Sequence, residues 1–205
     1  AEALIRWNSQ EKGLIPPAQF VDLFEKNGFI KKIDLFVFET ICKYMRKWID
    51  TEVPLLTVSV NLSRLHFMEK NFLDEFDAIR QKYDVPAKYL EFELTERTVF
   101  EETELLTDVM YHMREKGYSC SLDDFGSGYS SLGLLKNMPI DTLKIDRSFF
   151  SDWQREVYTV EETKEKSIVR SIIEMAQGLN LNTVAEGIEE EYQVEFLTNV
   201  GCDLI

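Results

Sequence analysis

The stretch from Glu102 to Asp124, ETELLTDVMYHMREKGYSCSLDD, sets two periodicities side by side, and its reading decides the fold. Leu105, Leu106, Val109, Met110 and Met113 recur at helical spacing, which predicts an amphipathic helix over Glu102 to Lys116 with that stripe in the core. Gly117 stands where the helix stops. Tyr118 to Leu122 then reads as a short buried strand, and two carboxylates, Asp123 and Asp124, follow it at once. A helix, a glycine stop, a strand and a polar strand end together make one step of a β/α chain.

The same step recurs outward in both directions. Leu56 to Val60, Leu90 to Leu94, Thr142 to Ile145 and Asn182 to Ala185 read as strands, with fragments of further strands at the two ends. Asp74 to Tyr83, Lys166 to Leu179 and Glu190 to Val200 read as helices, the second with Ile168, Ile172, Met175 and Leu179 as its stripe. Pro16-Pro17 opens a helix through Phe24, and Ile33 to Ile49 forms a longer one with Phe38, Ile41, Met45 and Trp48 on one face; neither carries evident chemistry. Gln154 to Lys166 is polar and reads as a solvated loop. This alternation predicts an α/β fold with a parallel sheet, either a barrel or an open doubly wound sheet. No G-x-G-x-x-G or G-x-x-x-x-G-K-S/T follows any strand, which favours the barrel.

Composition narrows the function classes. The 205 residues are 44% hydrophobic and 29% charged, enough for a sizeable core and one domain. An excess of 37 acidic over 23 basic side chains, a net charge of −14, opposes any grip on a nucleic-acid duplex. Cys42, Cys120 and Cys202 are odd in number and widely spaced, so they read as small buried hydrophobes in a reducing compartment. No apolar run approaches the roughly 18 residues of a membrane span and no signal peptide opens the chain, which predicts a soluble segment without membrane contact, in a cytoplasmic protein or in the cytoplasmic part of a larger, membrane-anchored one. The abrupt start at Ala1 and stop at Ile205 read as a piece of something longer.

Polar residues fall where a buried parallel sheet would not otherwise tolerate them. Asn61 follows Val60, Glu93 lies within a strand, Asp123 and Asp124 follow Leu122, Lys144 interrupts Leu143 and Ile145, and Glu186 follows Ala185. In a β/α barrel such strand ends converge on the C-terminal face, where active sites are built. Converging carboxylates repel one another unless a cation lies among them, and oxygen donors favour magnesium, manganese or calcium. The only histidines, His66 and His112, lie elsewhere. Taken singly, a strand-end Asp or Asn is commonly a cap or turn former. Lys144 is harder to excuse, since a buried lysine needs a charged partner or a shifted pKa.

Seven blocks, in order, resemble the EAL domain family, the bacterial phosphodiesterase modules that open cyclic di-GMP. They are Glu2-Ala3-Leu4-Ile5-Arg6-Trp7, Gly13 to Phe20, Val60-Asn61-Leu62-Ser63, Glu93-Leu94-Thr95-Glu96, Asp123 to Leu132, Leu143 to Arg147, and Ala185-Glu186-Gly187-Ile188-Glu189. The resemblance implies one EAL-type domain over 1–205, a TIM-like β/α barrel lacking here its first strand and the end of its last. It implies two divalent cations, Mg2+ or Mn2+, with Ca2+ binding and inhibiting. Glu2, Asn61, Glu93 and Asp123 would hold one ion, and Asp123, Asp124 and Glu186 the second. Lys144 would orient the attacking water or steady the developing charge, Glu186 would serve as metal ligand or general base, two roles that the sequence does not separate, Arg6 would meet a ligand phosphate, and Glu96 would anchor the loop Phe125 to Ser131. The partners it admits are cyclic di-GMP, a second copy in a homodimer, and flanking sensory or diguanylate cyclase domains.

The chain departs from the family pattern at the rim. Asn8-Ser9 stand where members often carry His-Pro, and the Tyr-Gln-Pro strand and the Gln-Gly pair that flank the usual domain are missing. Two other readings compete with the enzyme. One is a catalytically silent EAL domain serving as a cyclic di-GMP receptor or scaffold, whose usual sign is loss of metal ligands; the other is an unrelated acid-lined barrel with Lys144 as an enolising base.

Overall fold

Each predicted strand and helix finds a counterpart in the computed structural model, which describes residues 1–101, 103–126, 135–151, 153 and 163–205. The chain opens with β1 (Glu2–Ala3), an antiparallel hairpin of β2 (Trp7–Ser9) and β3 (Gly13–Ile15), then α1 (Val21–Lys26) and α2 (Ile30–Asp50). There follow β4 (Val58–Asn61), α3 (Phe72–Lys82), β5 (Leu90–Thr95), α4 (Glu96–Glu101) and α5 (Thr103–Glu115). The remainder is β6 (Ser119–Phe125), β7 (Thr142–Ile145), α6 (Lys164–Gly178), β8 (Asn182–Ala185) and α7 (Glu191–Asn199). Of the expected loops, residues 127–131 and 154–162 lie outside the described residues. The chain parts into two compact units, Ala1–Leu94 with Glu104–Ser119, and Thr95–Thr103 with Cys120–Ile205.

In the first unit β1, β4 and β5 run parallel, with Glu2 opposite Ser59, Ala3 opposite Val60, and Val58 to Asn61 opposite Leu90 to Glu93. Its core is aromatic. Phe38 of α2 stacks on Phe92 of β5 at 5.6 Å and meets Phe76 of α3 edge-on at 5.0 Å, while Phe92 also meets Tyr118 at 5.1 Å. Burying each such ring contributes about 1.5–3 kcal/mol. The buried side of α2 is Ile30, Asp34, Phe38, Cys42 and Met45. This corrects the expected face, because Ile41 and Trp48 are only half-buried and a carboxylate, Asp34, lies on the apolar stripe. On α5 the core takes Leu106, Met110 and Met113, whereas Leu105 is 42% exposed, contrary to expectation.

In the second unit β6, β7 and β8 are parallel, with Thr142 to Ile145 opposite Asn182 to Ala185. Leu204 bridges Val184 in the same sense, a strand fragment of the kind expected near the chain end. Ile145, Phe150, Trp153, Val169, Ile173, Ala185, Leu197 and Val200 form the core. The stripe expected on α6 is off by one residue: Val169, Ile173 and Ala176 are buried, while Ile168 and Leu179 are exposed. Both stripes fit a 3.6-residue period, so spacing alone does not choose between them. Cys42 and Cys120 are buried as expected, but Cys202 is half-buried. Burial pushes the Cys202 thiol up, and its Sγ lies 3.2 Å from the Leu204 carbonyl.

Candidate active site

Side chains two apart on a strand share a face, and registered residues of parallel neighbours share it too. Glu2 is opposite Ser59, Asn61 is two beyond Ser59, and Glu93 is opposite Asn61, so the sheet register puts all three on one face of the first unit. The Asn61 amide Nδ2 donates to Glu2 Oε1 at 3.0 Å. Glu93 is 2% exposed, whereas Glu2 and Asn61 are open to solvent. Beyond Asn61 the chain is held at once, the Leu62 amide donating to the Glu93 carbonyl at 3.1 Å. Arg6 is exposed, and its guanidinium donates to the Ile5 carbonyl at 2.8 Å.

In the second unit the pairing of β6 with β7 slips. Leu122 faces Leu143 and Phe125 faces Ile145, so β6 holds an extra residue at Asp123-Asp124. Such a bulge bends the strand and re-aims its side chains. Asp124 takes up the bend in the left-handed region, φ 56°, which Asp tolerates better than most residues. Lys144 is 5% exposed, with its Nζ 2.6 Å from Glu186 Oε1 and 3.2 Å from Asp123 Oδ1. Burial pushes the Asp124 carboxyl up, and the neighbouring Asp123, Asp146 and Glu186 push the same way against Lys144. The cluster therefore holds more negative charge than its lysine neutralises.

The loops behind these groups are fixed by buried polar side chains. Glu96, at the head of α4, accepts from the Gly126 amide at 2.9 Å. Gly126 has φ 94°, and a Cβ there would enter the Phe149 ring. Gly187, next to Glu186, has φ 68°, and a Cβ there would lie 2.5 Å from Arg147 Cβ. Gln193 Oε1 accepts from the amides of Glu189 and Glu190 at 3.0 Å, while its Nε2 donates to the Phe150 carbonyl at 3.1 Å. Sequence reasoning passed over Gln193, although a polar residue on the inner face of an apolar helix was its signal.

The donor chemistry of both sets suits hard divalent cations: carboxylate and amide oxygens, with negative charge in excess around Asp124. Among the described residues no three Asp, Glu, His or Cys side chains form a ready-made metal group. Asn61 brings an amide to the first set, and the Lys144 ammonium stands between two carboxylates of the second.

The EAL domain family model matches residues 1–205. The chain is 37% identical over 202 residues to the bifunctional diguanylate cyclase/cyclic di-GMP phosphodiesterase MucR of Pseudomonas aeruginosa, covering 98% of this chain and 29% of that protein. It is 35% identical over 202 residues to the cyclic di-GMP phosphodiesterase PdeR of Escherichia coli, covering 98% of this chain and 30% of the relative. The chain thus spans less than a third of the length of these relatives. The solved PaMucR phosphodiesterase, a complex with c-di-GMP, aligns over 99% of this chain and 80% of its own with a TM-score of 0.89 and 37% identity. Likeness of that degree carries the fold class, the TIM-like β/α barrel expected from the sequence.

Proposed function

The chain belongs to the EAL domain family, and on that premise we propose that it is a metal-dependent phosphodiesterase hydrolysing cyclic di-GMP to the linear dinucleotide pGpG. Its effect is to lower a bacterial second messenger. The observation that carries the reading is the buried Lys144 ammonium bridging Asp123 and Glu186 in a chain that retains Glu2, Asn61, Glu93 and Asp124. The usual sign of a silent receptor, loss of the ligand positions, is not met at these residues. Residues 1–205 act in this reading as one EAL-type domain, in the cytoplasm, with a homodimer and flanking sensory or cyclase domains as its wider setting.

The proposed ligands of two divalent cations, Mg2+ or Mn2+, are Glu2, Asn61 and Glu93 together with Asp123, Asp124 and Glu186. Such ions, when bound, make water a nucleophile at neutral pH and absorb charge as the phosphodiester opens in line. The protein groups do the rest. Glu186 accepts a proton from the attacking water, and Lys144 donates to the oxygen on which charge develops. Arg6, exposed and with its guanidinium donating to the neighbouring Ile5 carbonyl, turns to fork onto a phosphate of the nucleotide. Glu96 keeps Gly126, and through it the end of β6, in place. Water adds across one P–O3′ bond, leaving a 5′-phosphate and a 3′-hydroxyl.

Asp123→Asn tests the reading. It is expected to lose Mn2+ binding and hydrolysis together while keeping its fold, and unchanged turnover in that variant would remove the two-metal mechanism. Nucleotide binding by the wild type without any product marks a receptor instead.

A further inference from the structure

Asp34 is a carboxylate on the apolar face of α2, 8% exposed among Ile30, Phe38, Cys42 and Met45. Its Oδ2 accepts two hydrogen bonds, from the Ser63 amide at 3.0 Å and from His66 Nε2 at 3.0 Å. A carboxylate only accepts, so the ring nitrogen facing it carries the proton. His66 is 3% exposed and meets Phe76 edge-on at 5.2 Å and Phe72 at 5.7 Å. The Ser63 hydroxyl donates to Glu25 Oε1 at 3.1 Å, and its oxygen caps the short 3-10 turn Arg64–Met68.

Burying a carboxylate costs several kcal/mol unless its bonds are well made, and an apolar residue at position 34 would suit the Phe38 stripe better for stability alone. What the carboxylate supplies is direction. Leu62 and Ser63 are the two residues after Asn61, and their amides are held in turn by the Glu93 carbonyl and by Asp34. The backbone leaving Asn61 is therefore pinned at two successive amides. The Asn61 Nδ2 is engaged by Glu2, and its Oδ1 is the atom chemically able to meet a cation.

We propose that Asp34 and His66 are positioning residues for the candidate metal site: they hold the Leu62-Ser63 turn so that Asn61 presents its amide oxygen beside Glu2 and Glu93. The inference rests on the metal reading given above and extends it to a pair that touches no proposed ligand side chain. Oriented outer groups of this kind change metal affinity by about 10–100-fold when removed.

Calorimetric titration with Mn2+ alone, without nucleotide, tests it on the intact chain. Asp34→Ala is expected to bind Mn2+ about 10-fold or more weakly, with kcat recovering at saturating Mn2+. Asp34→Asn, whose amide oxygen still accepts from the Ser63 amide, is expected to stay within about threefold of the wild type; this rescue separates direction from charge. Hydrogen exchange at the Ser63 amide should quicken in Asp34→Ala and not in Asp34→Asn. Wild-type Mn2+ affinity in folded Asp34→Ala, with the Ser63 amide released, overturns the proposal and leaves the metal reading standing. No Mn2+ uptake by the wild type overturns both. If Asp34→Ala does not fold, His66→Phe carries the test, since it keeps the ring packing and deletes only the Nε2 bond: weaker Mn2+ binding supports the proposal and unchanged binding overturns it.

Discussion

Lys144 has a charged neighbour on either side and almost no water. With its Nζ at 2.6 Å from Glu186 and 3.2 Å from Asp123, its removal leaves two partly buried carboxylates facing one another. If Lys144 serves the chemical step, Lys144→Ala is expected to lower kcat by about 100-fold or more while metal and cyclic di-GMP still bind. A charge-balancing role alone predicts weaker metal binding and near-normal kcat at saturating metal; steady-state kinetics beside calorimetry distinguishes the two. Lys144 was legible in the sequence because a lysine between Leu143 and Ile145 contradicts the strand around it. Asp34 was not, because an acidic residue near the start of a long amphipathic helix reads equally as a solvated first turn, and only the three-dimensional packing reveals it on the inner face.

At the scale of elements, the bulge at Asp123-Asp124 is what the sequence concealed. Leu122-Asp123-Asp124-Phe125 announces a polar strand end, but where a ladder slips depends on the partner strand, and no local spacing records it. The strands themselves were legible within a few residues, since β-branched and apolar runs bounded by turn residues left little choice. Helix stripes were less so: on α6 two overlapping stripes fit one period, and contact with the sheet selects one. Gly126→Ala would press a methyl into Phe149 at a φ of 94°, so a loss of about 2 kcal/mol or more is expected, with activity falling as the Glu96 bond is displaced. Thermal melts with parallel turnover assays check it, and an unaltered variant would deny the bulge its rigid end.

A second element-scale prediction concerns Asp77 on α3. Burial works against its ionisation, yet bonds from Arg80 and Tyr118, with Lys116 near, hold its carboxyl below the usual range. Arg80 Nη2 lies at 2.8 Å, Gln81 Nε2 at 2.8 Å and the Tyr118 hydroxyl at 3.2 Å. A carboxyl lowered in the folded state contributes stability above its unfolded pKa of about 3.9 and loses it as pH falls through the folded value. Asp77→Asn should therefore be about 2 kcal/mol less stable than the wild type near neutral pH, with the gap closing in acid. Urea unfolding at both pH values reads it, and a gap independent of pH would contradict the assignment.

For the whole molecule, a net charge of −14 rules against a basic surface for polyanions, yet the proposed substrate is itself anionic. The account reconciles the two by giving the phosphates to divalent cations and Arg6 rather than to the surface. Replacing Mg2+ by Ca2+, a larger ion with looser coordination, is expected to preserve nucleotide binding and stop turnover, as calorimetry beside an activity assay would read. The fold class and the order of the motif blocks were legible, because strand ends carry their polar residues in chain order, and in the first unit the register then brings Glu2, Asn61 and Glu93 to one face. The most direct measurement is chromatography of cyclic di-GMP incubated with the protein and Mg2+ or Mn2+. The account predicts conversion to the linear dinucleotide pGpG, abolished by a chelator and restored by added metal; recovery of intact cyclic di-GMP from protein shown to be folded and metal-loaded would contradict it.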